Sequence, residues 1–539
     1  MMLSSLVSSA ADAASSQRLT AGPGAIRERL ALLLEEPGMA GAPVSATALL
    51  ERFYEERHFS PAWDMPAKLA SLLDAIAASR RHGLSPRDYN RDVLLRLSDA
   101  AAFRPSARLA AELDVRATEA LARLALHLHH GKIDPVALEP SWNFSGPMDG
   151  IDLVDALHAI IDAPRMQDAL DGLAPDDAYY RGLMDALARY RLIVARGGWP
   201  RVPGGETLGR GMTSPRVAAL RTRLEMSGDH RPAPVAADAE HFDAKLDAAV
   251  RRFQRRHGLG VDGLVGADTL AALNVSARAR VDQLRINMER ARWVFQDLEE
   301  RFLLVNIARY RVMLIERGRV SWSTRAVVGR PFRQTPVFKA RMTHLEFNPV
   351  WTVPRTILEK DLLPEIREDP GALQKKNMRL LDFDGRPVAP GSVDWATVRA
   401  AAFPYMVRQA PGPDNPLGRV KFMYPNPHDV YMHDTPLRSQ FHRAGRAFSS
   451  GCIRLERPLE LARILLAGTE WDAAAIERVT ASGETRTVYL PRPITVLTLY
   501  GTAAPSALGV DFATDVYARD ERLLAALDGR SSSPSMRSR

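Results

Sequence analysis

The N-terminal part of the chain carries apolar side chains at helical spacing. Four of them recur at intervals of three and four residues, which is typical of one face of an α-helix: Leu69, Leu72, Leu73 and Ile76. Similar helical sequence continues further on, at Leu109, Leu113, Leu121, Leu124 and Leu128. The pattern predicts a helical domain over residues 25–206. We expect the Ser- and Ala-rich residues 1–24 before it to be a disordered leader or the remnant of an export signal.

Residues 207–275 contain three shorter helical patterns that are separated by turns. The first two helix faces are marked by spaced apolar residues: Val217, Leu220 and Leu224, then Leu246, Val250 and Phe253. Gly258 ends the second helix, and a third short helix begins near Thr269. We therefore expect a three-helix domain here, followed by a connecting helix over residues 276–298.

From residue 299 the apolar period changes from that of a helix to that of a β-strand. Leu303, Val305 and Ile307 alternate with their neighbours in a period of two. A turn at Glu316-Arg317-Gly318 then joins two further runs of the same kind. Residues 299–521 are therefore predicted to form a mainly-β domain.

The alternation is interrupted over about residues 356–418, where we expect an inserted subdomain. Charged helical sequence at 358–367 and a further helix near Trp395 are predicted within it. A helix at 459–466 and the final strands follow the insertion. The Ser- and Arg-rich residues 522–539 are expected to form a disordered tail. Together the patterns predict an α+β multidomain fold.

Composition and charge narrow the class of protein. A chain of 539 residues is too long for one hydrophobic core. The net charge of +8 indicates an acidic partner. Nucleic acid is disfavoured because the basic residues are scattered and no nucleic-acid motif is present. No apolar stretch of about twenty residues suggests a membrane span.

The chemistry of the chain is concentrated around Cys452, the only cysteine in the sequence. A lone cysteine is either an inert buried side chain or a reactive thiol. The small residues Ser449-Ser450-Gly451 before it can leave the sulfur accessible, and Arg446 and Arg454 add positive charge that favours a thiolate. His433, upstream in the sequence, is a candidate to take the thiol proton.

These residues resemble the signature of the YkuD-type L,D-transpeptidases, cysteine enzymes that cross-link bacterial peptidoglycan. The resemblance rests on His433 and on the run Ser450-Gly451-Cys452-Ile453-Arg454. Flanking sequences at 431–436 and 347–354 are similar to the long, multidomain YcbB-like branch of that family.

Three other parts of the chain agree with this branch. The sequence from Ala249 to Asn274 resembles a three-helix peptidoglycan-binding domain, which implies such a domain at 207–275. The segments Tyr54…Trp63 and Trp142-Asn143 resemble the scaffold domain of the branch, for which an ordinary helical spacer is the alternative. The resemblance equates the insertion at about 356–418 with a capping subdomain over the active site of a YkuD catalytic domain, for which a surface insertion without such a role is the alternative.

The resemblance implies a role for each residue of the motif. Cys452 is the nucleophile, His433 is the general base and later the acid, and the backbone N–H of Gly451 binds the oxyanion with that of Cys452. A backbone carbonyl, rather than the carboxylate of Asp434, orients the imidazole. The side chains implied to bind substrate are Tyr431, Ser450, Arg454 and Trp351.

The resemblance also implies a reaction in cell-wall biogenesis. A tetrapeptide stem loses its terminal D-alanine to Cys452, and an amine of a second stem resolves the thioester into a 3→3 cross-link. The implied partners are peptidoglycan stem peptides, glycan strands and other cell-wall enzymes. The implied location is the periplasm, although the N-terminus has only a weak export signal, and carbapenems are implied inhibitors. No cofactor is expected, and His428, His433 and His442 lack metal-ligand spacing.

The residues themselves leave other functions open. Water could resolve the thioester, which would make the protein an L,D-carboxypeptidase or endopeptidase. A non-catalytic peptidoglycan-binding protein is the alternative from another class, although the complete motif around Cys452 disfavours it. A papain-like cysteine peptidase is also disfavoured, because the chain order of cysteine and histidine is reversed here.

Overall fold

The computed structural model describes residues 21–35, 44–144, 152–231, 238–295 and 298–529. Residues 1–20 of the expected leader lie outside these ranges. The expectation of disorder was wrong for the end of the leader, because a helix begins at Pro23 and Ala21 is buried.

The N-terminal helices surround one long central helix. They are α1 (Pro23–Leu34), α2 (Val44–Glu56), α3 (Pro66–Ala78), α4 (Arg91–Phe103), α5 (Ala107–His130), α6 (Pro135–Leu138), α7 (Leu153–Asp162) and α8 (Met166–Asp171). Ser106 caps the start of α5 by accepting the N–H of Leu109 at 3.2 Å, and Gly131 ends it. Apart from α6, these helices share one core, so the predicted helical domain is present.

A buried carboxylate explains the aromatic motif in this domain. Asp114 of α5 accepts hydrogen bonds from the Tyr54 hydroxyl at 2.8 Å and from the backbone N–H of Trp63 at 2.8 Å. The Trp63 indole donates to the hydroxyl of Thr118 at 2.9 Å. Because these polar atoms satisfy one another inside the core, the motif stabilises the helical domain.

The next helix, α9 (Ala178–Ala195), contributes to a different core. It packs against a helix further on, α13 (Ala277–Arg292), and against the C-terminal hairpin. Between α9 and α13 lie the three helices of the predicted three-helix domain, α10 (Pro215–Ser227), α11 (Ala244–Arg256) and α12 (Ala267–Leu273). These three helices enclose a core of their own around Phe242 and Phe253.

The β-domain is a ring of strands around a second large core. Its first strands are β1 (Arg301–Asn306), β2 (Arg311–Glu316), β3 (Arg319–Gly329) and β4 (Phe338–Phe347). The later ones are β9 (Val420–Met423), β10 (Met432–His433), β11 (Ala447–Ser449), β12 (Ile453–Leu455) and β13 (Arg486–Leu499). The sheet order is β11-β3-β12-β10-β9-β4-β13-β1-β2, and pairing of β2 with β3 closes the ring. Helices α17 (Pro458–Leu465) and α18 (Ala473–Ser482) follow β12.

The predicted insertion is a separate small subdomain with its own core. A four-stranded sheet combines β5 (Trp351–Thr352), β6 (Met378–Leu381), β7 (Pro387–Val388) and β8 (Met406–Gln409) in the order β5-β8-β6-β7. Its helical part comprises α14 (Arg355–Ile357), a π-helical turn (Leu358–Leu362), α15 (Leu363–Glu368) and α16 (Ala372–Lys375). The predicted helix near Trp395 was wrong, because turns occupy that position and the indole donates to the Pro390 carbonyl at 2.9 Å.

The C-terminal segment returns to the helical part of the molecule. Strands β14 (Ala503–Ser506) and β15 (Gly509–Phe512) form a hairpin whose apolar residues pack on α9 and α13, outside the β-ring. Helix α19 (Asp520–Leu527) then packs on α13 through Leu523 and Leu527. The disordered tail predicted from residue 522 was therefore wrong up to residue 529, and the rest of it lies outside the described residues.

The architecture confirms the expected α+β multidomain class. Within the described residues, no helix is both long enough and apolar enough to cross a membrane.

Candidate active site

Strand pairing brings the histidine and cysteine segments together. Strands β10 and β12 run parallel, so that His433 stands opposite Arg454, and the backbone N–H of Ile453 donates to the carbonyl of Tyr431 at 3.0 Å. Cys452 immediately precedes β12 and is therefore beside β10. The tertiary pairing thus places a thiol and an imidazole that are distant in sequence in one site.

A tight turn between β11 and β12 presents the thiol. The hydroxyl of buried Ser449 donates to the carbonyl of Cys452 at 2.5 Å and accepts the N–H of Gly451 at 3.2 Å. Gly451 has φ +121°, a conformation that residues with a Cβ rarely adopt. The glycine before the cysteine is therefore required by the backbone of the turn.

This turn changes the expectation for the oxyanion site. The N–H of Gly451 is already donated to Ser449, so its predicted role as an oxyanion donor does not fit this arrangement. The backbone N–H of Cys452 makes no hydrogen bond within the described part of the chain. That N–H is therefore available to a developing oxyanion.

Thr335 and Tyr517 connect the turn with the end of strand β3. The Thr335 hydroxyl donates to the Gly451 carbonyl at 2.7 Å and accepts the N–H of Gly329 at 2.9 Å. The Tyr517 hydroxyl donates to the Gly329 carbonyl at 2.7 Å and accepts the Thr335 N–H at 3.1 Å. Because all four of these hydrogen bonds are buried, they fix the turn relative to β3.

The thiol of Cys452 is half-buried and is expected to be protonated at neutral pH. It donates to the backbone carbonyl of Asp429 at 3.8 Å. Burial raises the pKa of the thiol, while Tyr431, Arg454 and Lys421 oppose this effect without cancelling it. Arg446, expected to favour the thiolate, instead donates to backbone carbonyls of residues 326, 443, 444 and 310, away from the thiol.

His433 is buried, and its tautomer is set by the backbone. Its Nδ1 lies 2.5 Å from the Asp434 carbonyl oxygen, which can only accept, so Nδ1 carries the hydrogen in the neutral ring and the basic lone pair is on Nε2. Burial, Arg454 and Lys421 lower the pKa of the imidazole to about 3. The Asp434 carboxylate bonds instead to Arg438 and to the N–H of Arg419. This geometry agrees with the expectation that a carbonyl, not Asp434, orients the ring.

Two further residues of the site were missed from the sequence. Lys421 of β9 stands opposite His433 on the side away from Arg454, and its ammonium lies 4.4 Å from the centre of the Tyr431 ring. Tyr424 is fully buried near the thiol, and its hydroxyl has no hydrogen-bond partner among the described residues. Strand alternation alone does not reveal either one, because their proximity to Cys452 depends on the β9–β10 register.

The remaining predicted residues fall into two groups. Tyr431 packs edge-on against His433, with ring centres 5.7 Å apart, and Ser450 lies in the turn of residues 449–452, named the nucleophile turn after the role predicted for Cys452. Arg454 lies beside the thiol, where it donates to Gln440 at 3.1 Å. Trp351 packs against the core of the inserted subdomain, and its role in substrate binding stays a prediction. No cluster of three or more His, Cys, Asp or Glu side chains suited to a metal occurs among the described residues.

Comparison with known families agrees with this geometry. Residues 300–480 match the L,D-transpeptidase catalytic domain (YkuD), residues 213–273 match the Putative peptidoglycan binding domain, and residues 48–187 match the Scaffold domain. The chain therefore contains a YkuD catalytic domain preceded by a peptidoglycan-binding domain and a scaffold domain, as the sequence resemblance predicted.

Individual relatives cover parts of the chain. A protein of Haemophilus influenzae named Putative L,D-transpeptidase is 35% identical over 241 residues, or 45% of this chain and 48% of that protein. The N-acetylmuramoyl-L-alanine amidase CwlM of Mycobacterium tuberculosis is 41% identical over 80 residues, or 14% of this chain and 20% of that protein. The chain thus spans about half the length of the first relative and a fifth of the second.

A solved structure is also similar to part of the chain. The L,D-transpeptidase of Xylanimonas cellulosilytica (residues 123–326) covers 55% of this chain and 99% of that structure, at 15% identity and a TM-score of 0.17. An identity and a TM-score this low support no conclusion about function.

Proposed function

We propose that this protein is a peptidoglycan L,D-transpeptidase that forms 3→3 cross-links through a thioester on Cys452. The observation that carries the proposal is the β10–β12 pairing, which joins the cysteine turn to the His433 strand within a YkuD domain. The basic chain suits peptidoglycan, whose stem peptides carry free carboxylates.

The first half of the proposed reaction is acylation. Cys452 Sγ attacks the carbonyl carbon of the third stem residue while Nε2 of His433 takes the thiol proton. The backbone N–H of Cys452 and the Tyr431 hydroxyl are the proposed donors to the oxyanion. His433 then gives the proton to the departing nitrogen of D-alanine, and the carbon–nitrogen bond breaks to leave the thioester.

The second half consumes the thioester. A side-chain amine of another stem attacks the thioester carbonyl, His433 takes a proton from that amine, and Cys452 leaves as the restored thiol. The product is an amide between two third residues. If water is the attacking group instead, the same steps give carboxypeptidase or endopeptidase activity.

The domain organisation supports a cell-wall role. We propose a helical scaffold over residues 25–206 and a peptidoglycan-binding unit at 207–275 that associates with glycan strands. The catalytic domain from residue 299 would carry the inserted subdomain as a cap. Cell-wall substrates imply a location outside the cytoplasm, and we propose the periplasm.

Incubation with purified disaccharide-tetrapeptides, followed by mass analysis, tests the proposal. We expect a cross-linked dimer that has lost one D-alanine, and a thioester of the protein at early times. Cys452→Ala is the control and should give neither. Monomeric tripeptide as the sole product would establish hydrolysis, and absence of any acyl-enzyme from the folded wild type would contradict the proposal.

A further inference from the structure

The loop at residues 330–336 lies directly against the nucleophile turn. The N–H of Arg330 donates to the Ser449 carbonyl at 3.0 Å, and the Thr335 hydroxyl donates to the Gly451 carbonyl at 2.7 Å. At the start of this loop a Cβ on Gly329 would stand 2.2 Å from the Arg333 carbonyl oxygen. The loop is therefore folded tightly back on β3, which gives its side chains fixed positions at the site.

Arg333 of this loop connects the nucleophile turn with the inserted subdomain. Its Nη1 donates to the Ser450 hydroxyl at 2.9 Å, two residues before Cys452. The same guanidinium holds the carboxylate of Asp361 through two bonds, of 2.5 Å from Nη1 and 3.0 Å from Nη2. The Arg333 side chain is 11% exposed, whereas Asp361 is 44% exposed.

The two side chains of this pair differ in exposure, which indicates that Asp361 is the partner that can move away. The Arg333 side chain is largely buried, and its planar guanidinium fits a carboxylate with two parallel bonds. Asp361 belongs to the π-helical turn of the inserted subdomain and is partly exposed to solvent. A donor carboxylate that makes the same two bonds can take the place of Asp361, because it offers the guanidinium an equivalent pair of acceptors.

The acyl donor brings such a carboxylate to the same place. The terminal D-alanine of a tetrapeptide stem carries its carboxylate one carbon beyond the nitrogen that departs, within about 4 Å of the attacked carbonyl carbon. The attacked carbon lies against Cys452 Sγ, and Arg333 bonds to the residue two positions earlier. A donor bound at Cys452 therefore carries a carboxylate close to the turn that Arg333 contacts.

We propose that Arg333 binds the terminal carboxylate of the acyl donor and that Asp361 occupies this position until the donor displaces it. The inference rests on the proposed transpeptidase function, for which it names the group that selects donors ending in a free carboxylate. Displacement of Asp361 would also release the inserted subdomain from the nucleophile turn.

A pair of donors that differ only at the terminus tests the proposal. We would measure kcat/KM for acylation of Cys452 by a tetrapeptide stem ending in D-alanine and by the same stem ending in D-alaninamide. The wild type should prefer the acid, and Arg333→Ala should lose about 10- to 100-fold for the acid with little change for the amide. Arg333→Lys keeps the charge without the fork and should recover part of the preference.

Asp361→Asn separates binding from a structural role. If Asp361 competes with the donor, the variant should have a lower KM for the acid donor and a similar kcat. If the Arg333–Asp361 pair only stabilises the turn, the variant should lose activity on both donors. That second result would overturn the proposal. Glu359→Gln is the matched control, since it removes a neighbouring charge of the inserted subdomain outside the Arg333–Asp361 pair. It should keep the wild-type preference.

The outcomes also separate this inference from the proposed function. Equal acylation of the wild type by acid and amide donors would overturn the role of Arg333 and leave the transpeptidase proposal intact. No acyl-enzyme from either donor would contradict the transpeptidase proposal itself.

Discussion

The thiol and the imidazole of this site are expected to be neutral together at neutral pH. Burial raises the pKa of Cys452 above its ordinary value, and burial with two cations lowers the pKa of His433 to about 3. The two values are therefore at least about five pH units apart, in the direction that opposes proton transfer. These shifts disfavour a thiolate–imidazolium pair in the free protein, so the proton is expected to move during attack on substrate.

His433→Gln tests this arrangement. Alkylation reports the thiolate, so its rate should rise in one step above about pH 8.5 in the wild type and in the variant alike. Acyl transfer should nevertheless fall by about 10²- to 10⁴-fold, because the variant has no base. Glutamine is the suitable replacement since its amide can still donate to the Asp434 carbonyl.

The assay is the rate of iodoacetamide addition, followed by intact mass from about pH 5 to about pH 10. Cys452→Ala is the control for addition elsewhere, and melting curves establish that each variant is folded. A second step below neutral pH in the wild type, absent from His433→Gln, would reveal a thiolate–imidazolium pair. That result would refute the reasoning from burial and the neighbouring cations.

Four further predictions concern the rate of acylation, the stability of the fold and inhibition. Gly451→Ala should reduce the rate of acylation about 100-fold, because strain at φ +121° distorts the turn. The variant should still fold, because the added Cβ meets nothing closer than 3.8 Å. Unchanged acylation would contradict this prediction. Leu527→Ala should destabilise the fold by about 2–5 kcal/mol in denaturant unfolding, if α19 packs as described. The pKa of His433 is lower in the folded protein than in the unfolded chain, so the free energy of unfolding should fall as pH drops from about 6.5 towards 3. Denaturant unfolding of His433→Gln across that pH range should show a smaller fall. Cys452 should gain the mass of one carbapenem, and Cys452→Ala should gain none.

Local features of the sequence were sufficient for the element types and for the motif. Helical spacing predicted α3 and α5 because an amphipathic helix shows its buried face as a period of 3.6 residues. The motif around Cys452 was visible because the turn needs a glycine and small neighbours in consecutive positions. The strands of the inserted subdomain were missed, since β6 and β7 have four and two residues and carry too few positions for a period of two.

Interactions between distant segments were decided by the tertiary structure. The sequence placed a base and a thiol in the chain, but only the β9–β10–β12 register puts Lys421 and Arg454 on either side of His433 and lowers its pKa. Likewise, only the folded chain brings Asp361 to Arg333. Side-chain electrostatics depend on separations of a few ångströms in space, and a linear pattern of residues does not specify those separations across strands.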